Sequence, residues 1–327
     1  MKGKIIAIAL LILLLCGAMT ACSKGGEEEY TSPVYYTVTF RTGEEDSTVR
    51  VAAGNTVRKP ENPTKDGYLF GGWANGVKLW DFGYDTVTAD ITLVARWVDA
   101  KTVFDYEVDK ENETVTITGY HGNISEVTVP NTIDDFAVVA IAPEAFFDTN
   151  SEKVTSITLG ESIKKVGADA FAECSDVSIF VLGALTEIGE RAFLECNLLT
   201  EIPLGEGLTE IPSEAFSGCV GLVELVLPES LTLIAENAFD GCTALETVML
   251  SGGVATVEDS AFLHCDALVA IYHRGTPAQW EATDIRMGNN GNRALADAQV
   301  YYYAEQKPTD DTVAYWYYND KGDIRVW

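Results

Sequence analysis

Five cysteines, Cys174, Cys196, Cys219, Cys242 and Cys265, each stand three residues after a phenylalanine, at intervals of 22 or 23 residues. Thiols spaced so evenly are raw material for a metal site or a redox relay. A zinc site gathers four ligands, usually from closely spaced CxxC pairs, and the chain has no such pair. A disulfide needs β-carbons about 3.8 Å apart on converging vectors, whereas equivalent side chains on neighbouring strands run parallel, about 4.8 Å apart. The remaining reading is packing, with each thiol a small buried hydrophobe. Other candidates for chemistry are sparse. His121, His264 and His273 are far apart in sequence, and there is no GxSxG, HExxH or glycine-rich phosphate loop. The run Asp148-Thr149-Asn150-Ser151-Glu152 alternates oxygen ligands, but Lys153 and Leu159 stand where a calcium loop needs glycine and glutamate. Neither a cofactor nor enzymatic activity is expected.

The elements that place these cysteines repeat. Phenylalanines preceded by alanine occur at Phe146, Phe171, Phe193, Phe216, Phe239 and Phe262, spaced 25, 22, 23, 23 and 23. A period near 23 predicts a solenoid. Six residues after most of them an apolar LxxLxL begins: Val177, Phe180, Leu182; Leu199, Ile202, Leu204; Leu222, Leu225, Leu227; Leu245, Val248, Leu250; Leu268, Ile271. Each reads as a short strand with these residues pointing inward. A second apolar pair follows, such as Leu208 with Ile211. On these motifs residues 124–276 resemble the BspA-like leucine-rich repeats of bacterial surface proteins. The resemblance implies a solenoid that binds another macromolecule.

A solenoid exposes apolar cross-sections unless its ends are covered. Residues 101–123 read as an N-terminal cap hairpin and 277–327 as a C-terminal cap. The latter is expected to open with a helix from Pro277 to about Met287, N-capped by Thr276. Tyr315, Trp316, Tyr317 and Tyr318 then lie on a closing hairpin, where aromatic rings either stack on sugars or pack on the last coil.

Ahead of the repeats, residues 35–98 alternate as strands, with Phe70, Trp73 and Trp97 as a small aromatic core. Pro60-to-Trp73 (PENPTKDGYLFGGW) and Asp90-to-Trp97 (DITLVARW) resemble the internalin B-repeat, or Listeria-Bacteroides repeat, family. That resemblance implies a β-grasp-like spacer or binding module. The stretch after Trp73 is shorter than the family's. The fold class expected for the whole chain is therefore mainly β: a small β-grasp-like domain followed by a leucine-rich-repeat solenoid with a C-terminal α/β cap.

The first residues give an address. Lys2 and Lys4 precede an apolar run from Ile5 to Cys16 and small residues before Cys22, the layout of a secretion signal over residues 1–21. Met19-Thr20-Ala21-Cys22 resembles a bacterial lipobox, which implies lipidation at Cys22. The polar stretch 22–34 reads as a tether that reaches about 40 Å when extended. Two or more acyl chains anchor stably, so the expected place is the outer face of a bacterial cell membrane, with an outer-membrane lipoprotein as the alternative. The net charge of −28 repels nucleic acid and anionic lipid. The expected partner is an extracellular or host protein, with a glycan or cell-wall component as the alternative.

Between the inward positions of each strand one residue should point out. That column reads Thr158, Val181, Pro203, Val226, Met249, Tyr272, beside a second column that includes Ile179. Apolar columns on an acidic surface mark contact sites, so Ile179, Val181, Val226, Met249 and Tyr272 are the expected partner-binding residues.

Overall fold

The computed structural model describes residues 33–147, 154–181, 183–288, 291–309 and 312–327. Alternating side chains first build a five-stranded sheet from β1 (Tyr35–Arg41), β2 (Asp46–Ala52), β3 (Tyr68–Asn75), β4 (Lys78–Leu79) and β5 (Ile91–Asp99), in the order β2-β1-β5-β3-β4. β1 runs parallel to β5 and antiparallel to β2, the mixed central pairing of a β-grasp sheet. One face gathers Val38, Phe40, Leu93, Phe70 and Trp73. Phe40 and Phe70 meet the Trp73 ring edge-on, at 5.0 and 5.5 Å. The register of β3 shifts between Phe70 and Trp73, and Gly72 there has φ +103°, a backbone that favours glycine.

β6 (Phe104–Asp109) and β7 (Thr114–Tyr120) form an antiparallel hairpin, and β7 pairs in parallel with Phe136–Ile141. From there the chain coils. Strand Ser156–Leu159 lies in parallel register with Ser178–Val181; farther on, Glu224–Val226, Thr247–Leu250 and Ala270–His273 do the same. A second ladder stacks Glu210–Ile211, Leu233–Ile234, Thr256–Val257 and Asp284–Ile285. The first ladder breaks at Pro203, which has no N–H to donate, so three strands precede the gap and six follow it.

Between the ladders each coil makes a tight turn around its phenylalanine. The residue two before it is left-handed in every coil: Glu144, Asp169, Arg191, Glu214, Asn237 and Ser260, with φ between 53° and 59°. The residue two after it is left-handed at Glu173, Glu195, Gly218, Gly241 and His264. These paired reversals turn the phenylalanine inward. Its N–H reaches the alanine carbonyl of the next coil, as from Phe216 to Ala238 at 2.9 Å. The six rings stack at centroid distances of 5.1–5.4 Å.

Both ends of this column are covered. Phe104 and Tyr120 pack on Phe146. At the other end Asn292 is fully buried, and its Oδ1 accepts the Phe262 N–H at 3.0 Å, in the place of a next coil's alanine carbonyl. Helix α1 (Pro277–Ala282) starts at Thr276, whose hydroxyl and the Gln279 side chain form a capping box. The helix stops earlier than expected, because Asp284–Ile285 leaves it to pair with Thr256–Val257. After α2 (Arg293–Asp297), strands Gln299–Tyr303, Ala314–Tyr318 and Ile324–Val326 extend the first ladder. The fold is mainly β, as the sequence pattern implied.

Candidate recognition surface

The repeat cysteines form a column beside the phenylalanines, and all five are fully buried thiols. Each Sγ donates to the phenylalanine carbonyl of the preceding coil: Cys174 to Phe146, Cys196 to Phe171, Cys219 to Phe193, Cys242 to Phe216 and Cys265 to Phe239, at 3.1–3.3 Å. Burial pushes the thiols of Cys196, Cys219, Cys242 and Cys265 well up from the ordinary range, with a smaller push from the neighbouring cysteine. Nucleophilic attack and metal ligation need the thiolate, which this site disfavours. The thiol acts here as a small apolar group with one useful donor. Sequence spacing located the column but carried no sign of the thiol-to-carbonyl bond.

The histidines do not converge. His264 Nδ1 lies 2.8 Å from Asp240, and His121 Nδ1 lies 3.6 Å from Asp105. His273 is buried between Trp280 and Tyr302, its Nδ1 lacks a hydrogen-bond partner, and burial pushes its pKa below the ordinary histidine value. Among the described residues no three His, Cys, Asp or Glu side chains are grouped to hold a metal ion. Cys22 and the run 148–153 lie outside the described residues, as does Leu182.

The expected outward column needs correction. Ile179 and Val181 point inward and are buried, in register with the buried Ile157 and Leu159. Their coil is the one with only 22 residues between phenylalanines, and losing one residue ahead of a strand exchanges its two faces. Met249 is also buried, from the outside: Arg274 Nε and Nη2 lie 3.1 and 2.7 Å from its Sδ. The same guanidinium reaches Glu229 at 3.0 Å, and the Tyr318 hydroxyl comes within 3.5 Å of the Met249 sulfur. Tyr272 is half-buried, stacked on Tyr301 at 5.5 Å and edge-on to Trp316.

The C-terminal hairpin therefore folds over the outer face of the last coils. Its anchor is Trp316, which is fully buried and donates from Nε1 to the His273 carbonyl at 3.2 Å. Of the four clustered aromatics, Trp316 packs, while Tyr318 is exposed. Val226 stays open at 43% exposure. The strand-leading column beside it, which the sequence reading passed over, adds Val223 and Val269, exposed 44% and 63%. Exposed Glu224 and Glu246 separate them. The signal for this column was in the sequence: Val223, Glu246 and Val269 are each the residue after the first leucine of their repeat.

The two halves of the chain touch. Lys59 Nζ and Asn62 Nδ2 bond Glu126 at 2.6 and 2.9 Å, and Leu69 of β3 joins the solenoid's core. Burial raises the Glu126 pKa, but the bonds from Lys59 and Asn62 outweigh it and hold the carboxylate below its usual range.

Residues 36–96 match the Listeria-Bacteroides repeat domain, and residues 119–222 match the BspA type leucine rich repeat region in six copies. The coils at residues 223–273 continue the same geometry past that match. Internalin H of Listeria monocytogenes is 32% identical over 99 residues, covering 29% of this chain and 18% of that protein. A putative Gly-rich membrane protein of Evansella cellulosilytica is 39% identical over 67 residues, 19% of this chain and 8% of that one. The chain thus spans less than a fifth of these curated relatives. Among solved structures, a leucine rich cell surface protein from Faecalibacterium prausnitzii is 27% identical with a TM-score of 0.52, covering 68% of this chain and 58% of that one.

Proposed function

Because the chain carries a Listeria-Bacteroides repeat domain and a BspA type leucine rich repeat region, we propose that it is a lipid-anchored surface protein whose solenoid recognises an extracellular protein. The observation that carries this reading is the set of open valines Val223, Val226 and Val269 on the strand face, interleaved with the exposed Glu224 and Glu246. The neighbouring Met249 is covered by Arg274 and Tyr318, and Tyr272 packs against Tyr301 and Trp316, so these valines are what the strand face leaves free. Exposed apolar side chains gathered on one face of an acidic surface are a usual mark of interaction sites. Lipidation at Cys22 follows from the lipobox-like residues before it, and it puts the solenoid on the outer face of the membrane.

A second reading has its own support. Tyr303, Tyr318 and Trp327 are exposed on the C-terminal strands, and open aromatic rings suit the apolar faces of sugars. Probing an array of extracellular proteins and glycans with the soluble chain separates the two. The first reading expects saturable binding to a protein; binding to glycans alone would replace it with the second. For the anchor, Cys22→Ala is expected to abolish acyl labelling and release the protein into the medium. Unchanged labelling would sink the lipidation assignment.

A further inference from the structure

β2 is an outer strand of the first sheet, and its edge is open. The Ala53 N–H bonds the Val34 carbonyl at 2.8 Å, so the pairs Val51–Tyr36 and Val49–Val38 exchange hydrogen bonds with β1 in the same phase. The N–H and C=O of Thr48 and Arg50 therefore point away from the sheet, and no described residue pairs with them. Alongside this edge the core face is partly open. The connection from Ala53 to Gly67 contains Pro60 and Pro63 and no helix, and Val49 is left 41% exposed although it shares its face with the buried Val38. A groove results, lined by Phe40, Val49, Val57, Arg50 and Arg58.

Charge selects the occupant. Residues 33–98 hold seven Lys and Arg against eight Asp and Glu, whereas residues 99–327 hold 12 against 39. Lys59 is engaged by Glu126. Arg50 and Arg58 are exposed, with Arg50 resting over the Tyr35 ring at 5.1 Å. Cations beside an open strand edge, on a chain otherwise so acidic, suit an acidic strand. The period of two supplies the rest: residues of an added strand that face Val49 should be apolar, and those facing Arg50 should be acidic. We propose that the β2 groove takes an extended peptide of alternating acidic and apolar residues as an added strand.

The test uses the full chain and a labelled Glu-Val-Glu-Val-Glu-Val probe, followed by fluorescence anisotropy. Saturable binding is expected, weakening with salt and at least tenfold weaker for a Gln-Val-Gln-Val-Gln-Val probe. The double variant Arg50→Glu, Arg58→Glu should lower affinity at least tenfold with an unchanged melting temperature. Thr48→Pro, which deletes an outward N–H, should do the same. Absence of saturable binding, or binding indifferent to the arginine reversal, overturns the proposal. So does binding lost on Val226→Lys, which would place the probe on the solenoid. If the unaltered chain binds nothing but Glu27→Gln, Glu28→Gln, Glu29→Gln binds the probe, the chain's own acidic segment fills the groove and an external partner is ruled out.

Discussion

At each repeat cysteine the thiol proton is shared with a carbonyl one coil back, and each of the four inner phenylalanine rings is sandwiched between two others. Packing and hydrogen bonding thus give the repeated residues a complete role. Phe216→Ala removes a fully buried ring from the middle of the stack and is expected to cost about 3–5 kcal/mol, read from chemical unfolding. The five repeat thiols should stay unreactive toward a thiol reagent in the native chain and all titrate after anaerobic denaturation. Rapid native labelling of any of them would contradict the burial described above. The spacing of these residues made the column legible in the sequence. The bond from Sγ to carbonyl was not legible, because it depends on the left-handed residues flanking each phenylalanine, and at Glu214 or Arg191 nothing in residue type announces a positive φ.

Single coils and caps show where sequence patterning runs out. The strand Ser178–Val181 follows the repeat with its faces exchanged, because side-chain direction depends on counting residues and its coil is one short. The 22-residue spacing was visible, but where the missing residue fell was not. Asn292 lies beyond the last repeat and resembles nothing in it, yet it supplies the carbonyl that ends the phenylalanine ladder. Asn292→Ala leaves the buried Phe262 N–H unsatisfied, at a cost of about 1–3 kcal/mol, and hydrogen exchange should quicken at the Phe262 amide more than at Phe216. The last coil is also sensitive to acid. Burial holds the His273 pKa below its unfolded value, so on acidification the unfolded chain takes up the proton first. Stability is then full above about pH 6.5 and falls as pH drops below it. His273→Phe should flatten that part of the pH profile; an identical profile would show that another group titrates there.

Across the whole molecule the charge is uneven, and so is the surface. The acidic solenoid presents few open apolar side chains, and Arg274 together with the C-terminal strands covers two that the repeat pattern exposes. That fold-back was beyond the sequence reading, since a repeat pattern says which side chains leave the coil and not which distant segment returns to cover them. The two halves are joined at Glu126, whose carboxylate is held ionised by Lys59 and Asn62. Glu126→Gln should loosen that contact and speed proteolysis in the 99–103 connection, while the melting of the solenoid stays unchanged. The claim on which the functional account turns is that recognition uses the remaining open valines. Its most direct measurement compares binding of the array-selected ligand to the unaltered chain and to Val223→Lys, Val226→Lys, Val269→Lys. The account predicts at least a tenfold loss of affinity with less than about 2 kcal/mol lost in stability, as befits exposed positions; undiminished binding by the folded triple variant would contradict it.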